Sequence, residues 1–201
     1  MPRSTSPDYP VNELISQRWS PYVFSKRLIP RDDLQSIFEA ARWAASSFNE
    51  QPWRYLVASR DQEQDFERIL SCLLDGNQAW AREAPTLAMG CTRTTFSRNN
   101  KPNRVAQHDL GLASASLSLE ATSRGVQVHQ MAGILPDKAR EIFAIPQEFE
   151  PVTALAMGYW AGPDSGAKEL RARDEGVRSR RPQAEFVFAG EWGRPGLGSE
   201  T

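Results

Sequence analysis

The chain has 201 residues, 40% hydrophobic and 24% charged, with a formal net charge of −1. This composition suits a globular domain that needs no disulfide or metal staple, and it argues against intrinsic disorder. The near-zero charge argues against nucleic acid as the main partner.

No apolar run is long enough to span a bilayer, and the opening MPRSTSPDYP lacks the apolar centre of a secretory signal. Two cysteines, Cys72 and Cys91, and two histidines give neither a disulfide framework nor a zinc pattern. A cytoplasmic, non-membrane protein is expected.

In chain order, the first helix is predicted from Pro30 to Ala45, capped by Asp32 or Asp33, with Leu34, Ile37, Phe38 and Ala41 on one stripe. Alternating Trp53, Tyr55 and Val57 predict a strand. A second helix is expected from Gln62 to Leu74, followed by a DGNQAW turn and a buried strand from Pro85 to Thr92. Ser97–Arg104 is polar, contains Pro102 and reads as a turn or an exposed excursion.

The longest helical pattern runs from Gln107 to Arg124, with Gly125 just past its end. Serines and alanines stand between its leucines, so it is apolar or small nearly all round. That pattern suits burial with close approach to another helix, inside the domain or across a dimer interface. A short strand (Val126–Met131), a helix opened by Pro136 and running to Ala144, and a strand from Pro151 to Trp160 follow.

The last 41 residues hold seven of the thirteen glycines and six arginines. They read as an extended arm that needs another surface to become ordered. The alternation of helices and strands indicates α/β or α+β layering.

No nucleophile elbow, P-loop or GxGxxG is present. Three polar clusters remain. In RWSPYVF (18–24), Arg18, Ser20 and Tyr22 alternate, and one guanidinium with two hydroxyls can grip a phosphate; the alternative is an arginine on a solvated edge. In AASSFNEQPW (44–53), hydroxyls and amides can read the edge of a heterocycle or simply form a capping turn. Arg178 and Arg180 in RSRRP (178–182) share a face if extended, and offer a second phosphate contact or solvated charge.

Together these clusters resemble the nitroreductase family of flavin proteins. Its first motif is usually Arg-x-Ser-x-Arg-x-Phe, here RWSPYVF. Its second is like Ala-Pro-Ser-Ser-x-Asn-x-Gln-Pro-Trp, here AASSFNEQPW. HDLGLASASLSLEATSRGVQVHQMAGI (108–134), IPQEFEPVTALAMGYWAG (145–162) and RSRRPQAEFVF (178–188) look like later family blocks in the expected order.

The resemblance implies an α+β, three-layer fold with a central, mostly antiparallel sheet flanked by helices. One domain would span residues 11–193, with residues 163–201 as an arm exchanged in a homodimer. It implies FMN as cofactor and NADH or NADPH as electron donor. Arg18 and Ser20 would hold the phosphate or ribityl chain, completed by Arg178 and Arg180, with Trp19 and Tyr22 in the same motif. Ser46, Ser47 and Asn49 would reach the flavin from the partner subunit, with Gln51 nearby. Met131, Ala132 and Gly133 would present backbone to the isoalloxazine, and Asn77 would contact the ring.

Two substitutions depart from the family pattern: Tyr22 for the second basic residue and Ala45 for proline. The segment between residues 93 and 107 is also short. The implied activity is hydride transfer from NAD(P)H through flavin to an electron-poor small molecule, such as a nitroaromatic or quinone, by a ping-pong mechanism and without an indispensable acid or base. A flavin-dependent dehydrogenase or dehalogenase, and a non-catalytic flavin-binding protein, are the alternatives.

Overall fold

A computed structural model describes residues 7–197; the first six residues of the segment read above for a signal, and the last four of the arm, lie outside it. Seven helices are described: α1 (Glu13–Gln17), α2 (Arg31–Arg42), α3 (Glu63–Ser71), α4 (Asp75–Ala81), α5 (Ala106–Ser123), α6 (Pro136–Phe143) and α7 (Lys168–Asp174). Four strands, β1 (Trp53–Ser59), β2 (Thr86–Arg93), β3 (Gln127–Met131) and β4 (Phe149–Gly158), form one sheet in the order β1-β2-β4-β3. Every neighbouring pair is antiparallel. β1 and β3 are therefore the two edges.

The sheet buries both faces, so its central strands carry apolar residues on both sides. Against one face, α2 and α5 pack Ile37, Ala41, Leu110, Ala113 and Leu117 on Ala88, Val128, Leu155 and Met157. Against the other, α3 and α4 pack Phe66, Ile69, Leu70 and Trp80 on Leu87, Met131, Ala154 and Ala156, with Phe24 in the same cluster. This is the expected three-layer arrangement. Cys72 and Cys91 are free and buried in a smaller cluster with Met89 and Ala139.

Several sequence expectations shift, each for a local reason. Neither Asp32 nor Asp33 caps α2. Pro30 stands at the cap without a side-chain bond, and both acids lie in the first turn, where they complement the helix dipole. Asp33 also accepts from Arg124 at 2.8 Å.

The helix expected over Gln62–Leu74 breaks after Ser71, because Leu73 bridges to Ile134 and the Leu74 amide donates to Gly133 O at 3.0 Å. The DGNQAW segment read as a turn is then helical, as α4. Ser97–Arg104 lies in a small hairpin closed by Thr95 and Pro102.

The arm is not wholly extended, since Lys168–Asp174 is helical. Its single half-buried leucine, Leu170, gives no apolar stripe to read from sequence. Gly125, at φ +72°, terminates α5 as expected, and Pro136 occupies the first turn of α6.

Candidate functional site

The N-terminal motif lies beside edge strand β3. The Trp19 amide donates to Gln127 Oε1 at 3.2 Å, and His129 Nδ1 lies 2.9 Å from Pro21 O. Phe24 then bridges to Trp160, just past β4. Arg18 Nη1 donates to Ser20 Oγ at 3.4 Å, so these two side chains meet.

The arm returns to the same place. Buried Asp174 accepts from the Tyr22 amide at 2.7 Å and from the Val23 amide at 3.2 Å, through its two carboxylate oxygens. Four residues later Arg178 donates to Ser16 O and to Arg18 O, both at 2.8 Å, across 160 positions of sequence in the second case. Burial first, then the charges of Arg178 and Arg180, press Arg18 below its ordinary pKa. Arg178 is lowered likewise by burial and by Arg180. Gathered like charges of this kind suit a multivalent anion that relieves their repulsion.

Tyr22 turns into an aromatic group. Its ring meets Trp80 and His129 edge-on, with centroids 5.0 and 4.6 Å away, and the Arg173 guanidinium lies 4.4 Å over it. Arg173 thus brings positive charge to the residue that replaces a basic one in the first motif. A carbonyl only accepts, so the His129 proton sits on Nδ1 and Nε2 carries the lone pair. Burial is the main force holding His129 below the usual imidazole pKa; the Pro21 bond opposes it, and Arg173 and Arg18 add to it. The Trp19 ring is buried edge-on to Trp160 at 5.8 Å, and neither indole nitrogen has a hydrogen-bond partner among the described residues.

At the far end of β3, Met131 is buried, Ala132 exposed and Gly133 half-buried. Thr153 Oγ1 donates to Met131 O at 2.9 Å, and Asn77 Nδ2 donates to Gly133 O at 3.0 Å. Asn77 and the 131–133 backbone are therefore adjacent.

The second motif stands before β1, at the opposite edge of the sheet. Asp109, a buried acid in the first turn of α5, accepts from the Ser47 amide at 3.1 Å. Ser46 Oγ accepts from the Gln51 amide at 3.0 Å, and Gln51 Nε2 donates to Asn49 O and Oδ1 at 3.2 and 3.1 Å.

Phe48, Asn49 and Gln51 have φ of 53°, 55° and 49°. Asparagine tolerates that region, but phenylalanine and glutamine pay strain there, a concentration typical of functional loops. The predicted residues thus come as two sets: Arg18, Trp19, Ser20, Tyr22, Asn77, Met131–Gly133, Arg178 and Arg180 near β3, and Ser46, Ser47, Asn49 and Gln51 near β1.

Sequence reasoning missed Asp174, Arg173 and Asp109. Asp174 and Arg173 lie in a charged stretch with nothing to mark one as buried. Asp109 did carry a signal, an acid within a helix otherwise small and apolar on its buried side. Among the described residues no group of three metal-ligating side chains occurs, and no helix is long and apolar enough to cross a membrane.

The chain is similar to several known proteins. The family model described as Nitroreductase family matches residues 15–159. A solved structure described as an oxidoreductase containing FMN is similar, with a TM-score of 0.86 and 34% identity over 93% of this chain and 95% of the other. An uncharacterised 15.4 kDa protein of Mycolicibacterium smegmatis is 29% identical over 71% of this chain and 99% of its own length. A protein of Methanothermobacter thermautotrophicus, provisionally named NADH dehydrogenase/NAD(P)H nitroreductase, is 27% identical over 80% of this chain and 82% of its own.

Proposed function

The chain belongs to the nitroreductase family, and from that premise we propose that it is an FMN-dependent oxidoreductase, working as a homodimer, that uses NADH or NADPH to reduce a small electron-poor acceptor such as a nitroaromatic or a quinone. The observation that carries this reading is the meeting of Arg18 with Arg178 and Arg180 beside β3. That cluster fits a nucleotide phosphate, and it is supported by the similar structure described as containing FMN.

In this reading Arg18, Ser20, Arg178 and Arg180 hold the phosphate. Trp19 and Tyr22 wall the adjoining stretch, and Arg173 adds charge over Tyr22. The Met131–Gly133 backbone faces the isoalloxazine edge, with Asn77 fixing its position. Ser46, Ser47, Asn49 and Gln51 come from the partner subunit, because they stand at the other edge of the sheet. Part of the arm beyond Arg178 lies on that partner and exchanges between the two copies.

FMN, once bound, would supply the two-electron chemistry that links a nicotinamide donor to the acceptor. The chain's own groups orient and neutralise charge. His129, bonded to Pro21 O, holds the first motif in place.

The test is to load the purified protein with FMN, mix it anaerobically with NADH or NADPH, and then add menadione or nitrobenzene. Bleaching by a nicotinamide followed by recovery on acceptor is expected. FMN uptake with indifference to both nucleotides favours a flavin-dependent dehydrogenase, dehalogenase or carrier instead, and no uptake at all overturns the reading.

A further inference from the structure

The second motif carries a feature that the proposed function does not use. Phe48, 71% exposed and held at φ 53°, points a large ring outward from the strained loop. The Arg98 guanidinium lies 4.1 Å over that ring, and Phe96 meets it edge-on at 5.8 Å and lies 5.4 Å from the same guanidinium. The two loops are tied together, since Glu50 Oε1 accepts from the Ser97 amide.

Arg98 itself donates no hydrogen bond to any described residue, and no carboxylate lies within ion-pairing distance of it. Its charge reaches Glu50. That carboxyl is pulled down by its Ser97 bond and by Arg93 and Arg98, against the effect of burial. The hairpin RTTFSRNNKPNR (93–104) carries Arg93, Arg98, Lys101 and Arg104 and no acid of its own.

A guanidinium whose face rests on aromatic rings keeps its N–H donors open at its edge. That is the fork that binds a carboxylate or sulfonate in two parallel hydrogen bonds. The rings beside it supply a surface on which another planar ring packs.

We propose that Arg98, on its Phe48–Phe96 platform, selects acceptors that are aromatic and carry an anionic group. This rests on the proposed function, because it takes the loop bearing Phe48 to face the flavin of the partner subunit. The ring of the acceptor packs beside Phe48, and its carboxylate or sulfonate takes the free edge of Arg98. Arg98 is a specificity residue that takes no part in electron transfer.

The experiment uses the FMN-loaded protein with two matched pairs of probes. Benzoate and benzamide are titrated by calorimetry, and 4-nitrobenzoate and 4-nitrobenzamide are compared as acceptors. Benzoate is expected to bind about tenfold or more tighter than benzamide, the size of one charge-assisted pair. Arg98→Gln should abolish that difference, and Arg98→Lys should keep part of it. The kcat/KM ratio of nitrobenzoate to nitrobenzamide should fall by a similar factor in Arg98→Gln, through KM.

Equal binding of acid and amide to the wild type, or a preference that survives Arg98→Gln, overturns the inference alone. Failure to take up FMN, or to turn over either acceptor, overturns the proposed function and this inference with it.

Discussion

Asn77 and Gly133 fit each other at a single point: the Asn77 side-chain amide donates to Gly133 O at 3.0 Å, and a β-carbon at position 133 would stand 2.4 Å from that same Nδ2. Gly133 is therefore a glycine because a neighbour's side chain occupies the space a methyl needs. Gly133→Ala should push Asn77 off the carbonyl and displace the 131–133 backbone. The expected result is about 1–3 kcal/mol of lost stability in denaturant unfolding. FMN affinity, measured by quenching of flavin fluorescence, should fall as well, and a variant indistinguishable from wild type in both would refute the contact's importance.

Asp174 is the second anchor. Its carboxylate accepts from two backbone amides, and it is 7% exposed. Asp174→Ala should cost about 1–3 kcal/mol, as expected when buried donors lose their partner. It should also free the arm. Limited trypsinolysis should then cut at Arg171, Arg173 or Arg178 several times faster than in the wild type.

Arg18→Ala removes one of the three clustered cations. A charge-assisted hydrogen bond contributes about 1.5–3 kcal/mol, so FMN affinity should drop by about tenfold or more. Retention of FMN equal to wild type would show that the phosphate lies elsewhere. Deleting residues 175–201 removes Arg178 and Arg180 together and should weaken both FMN binding and the proposed dimer. Analytical ultracentrifugation beside a flavin titration separates those two effects.

His129 gives a pH dependence with a definite sign. Its folded-state pKa lies below the ordinary imidazole value, chiefly because it is buried. Below the unfolded-state pKa, about 6.5, the unfolded chain gains the proton first and stability falls as pH falls. Above that value the residue is neutral in both states and contributes no slope. His129→Gln should flatten the decline in Tm between about pH 7 and pH 5. An identical decline in the variant would assign it to other groups.

The strands were legible because each has a continuous apolar or alternating pattern; β2 and β4 are displaced by only a residue or two from their sequence limits. α2 and α5 were legible for the same reason, with apolar residues at helical spacing. α4 was hidden by Gly76 and Asn77, weak helix formers that tertiary contacts with Gly133 override. α7 was hidden because its one buried residue is an acid, and an aspartate among arginines looks like any solvated charge. In the site, the two arginine clusters were readable as phosphate contacts one by one. Their convergence depends on Asp174 and on the path of the arm, which no local pattern encodes. The Arg98–Phe48 stack was equally invisible, since it joins two loops nearly fifty positions apart through a backbone conformation that phenylalanine disfavours.

The placement of β1 and β3 at opposite margins of one sheet has a thermodynamic consequence. If each margin presents half of a cradle, a molecule in isolation owns two incomplete cradles, and prosthetic-group retention becomes linked by mass action to self-association. Dilution should then strip colour and dissociate the assembly along a single curve, while added FMN should pull scattered subunits back together.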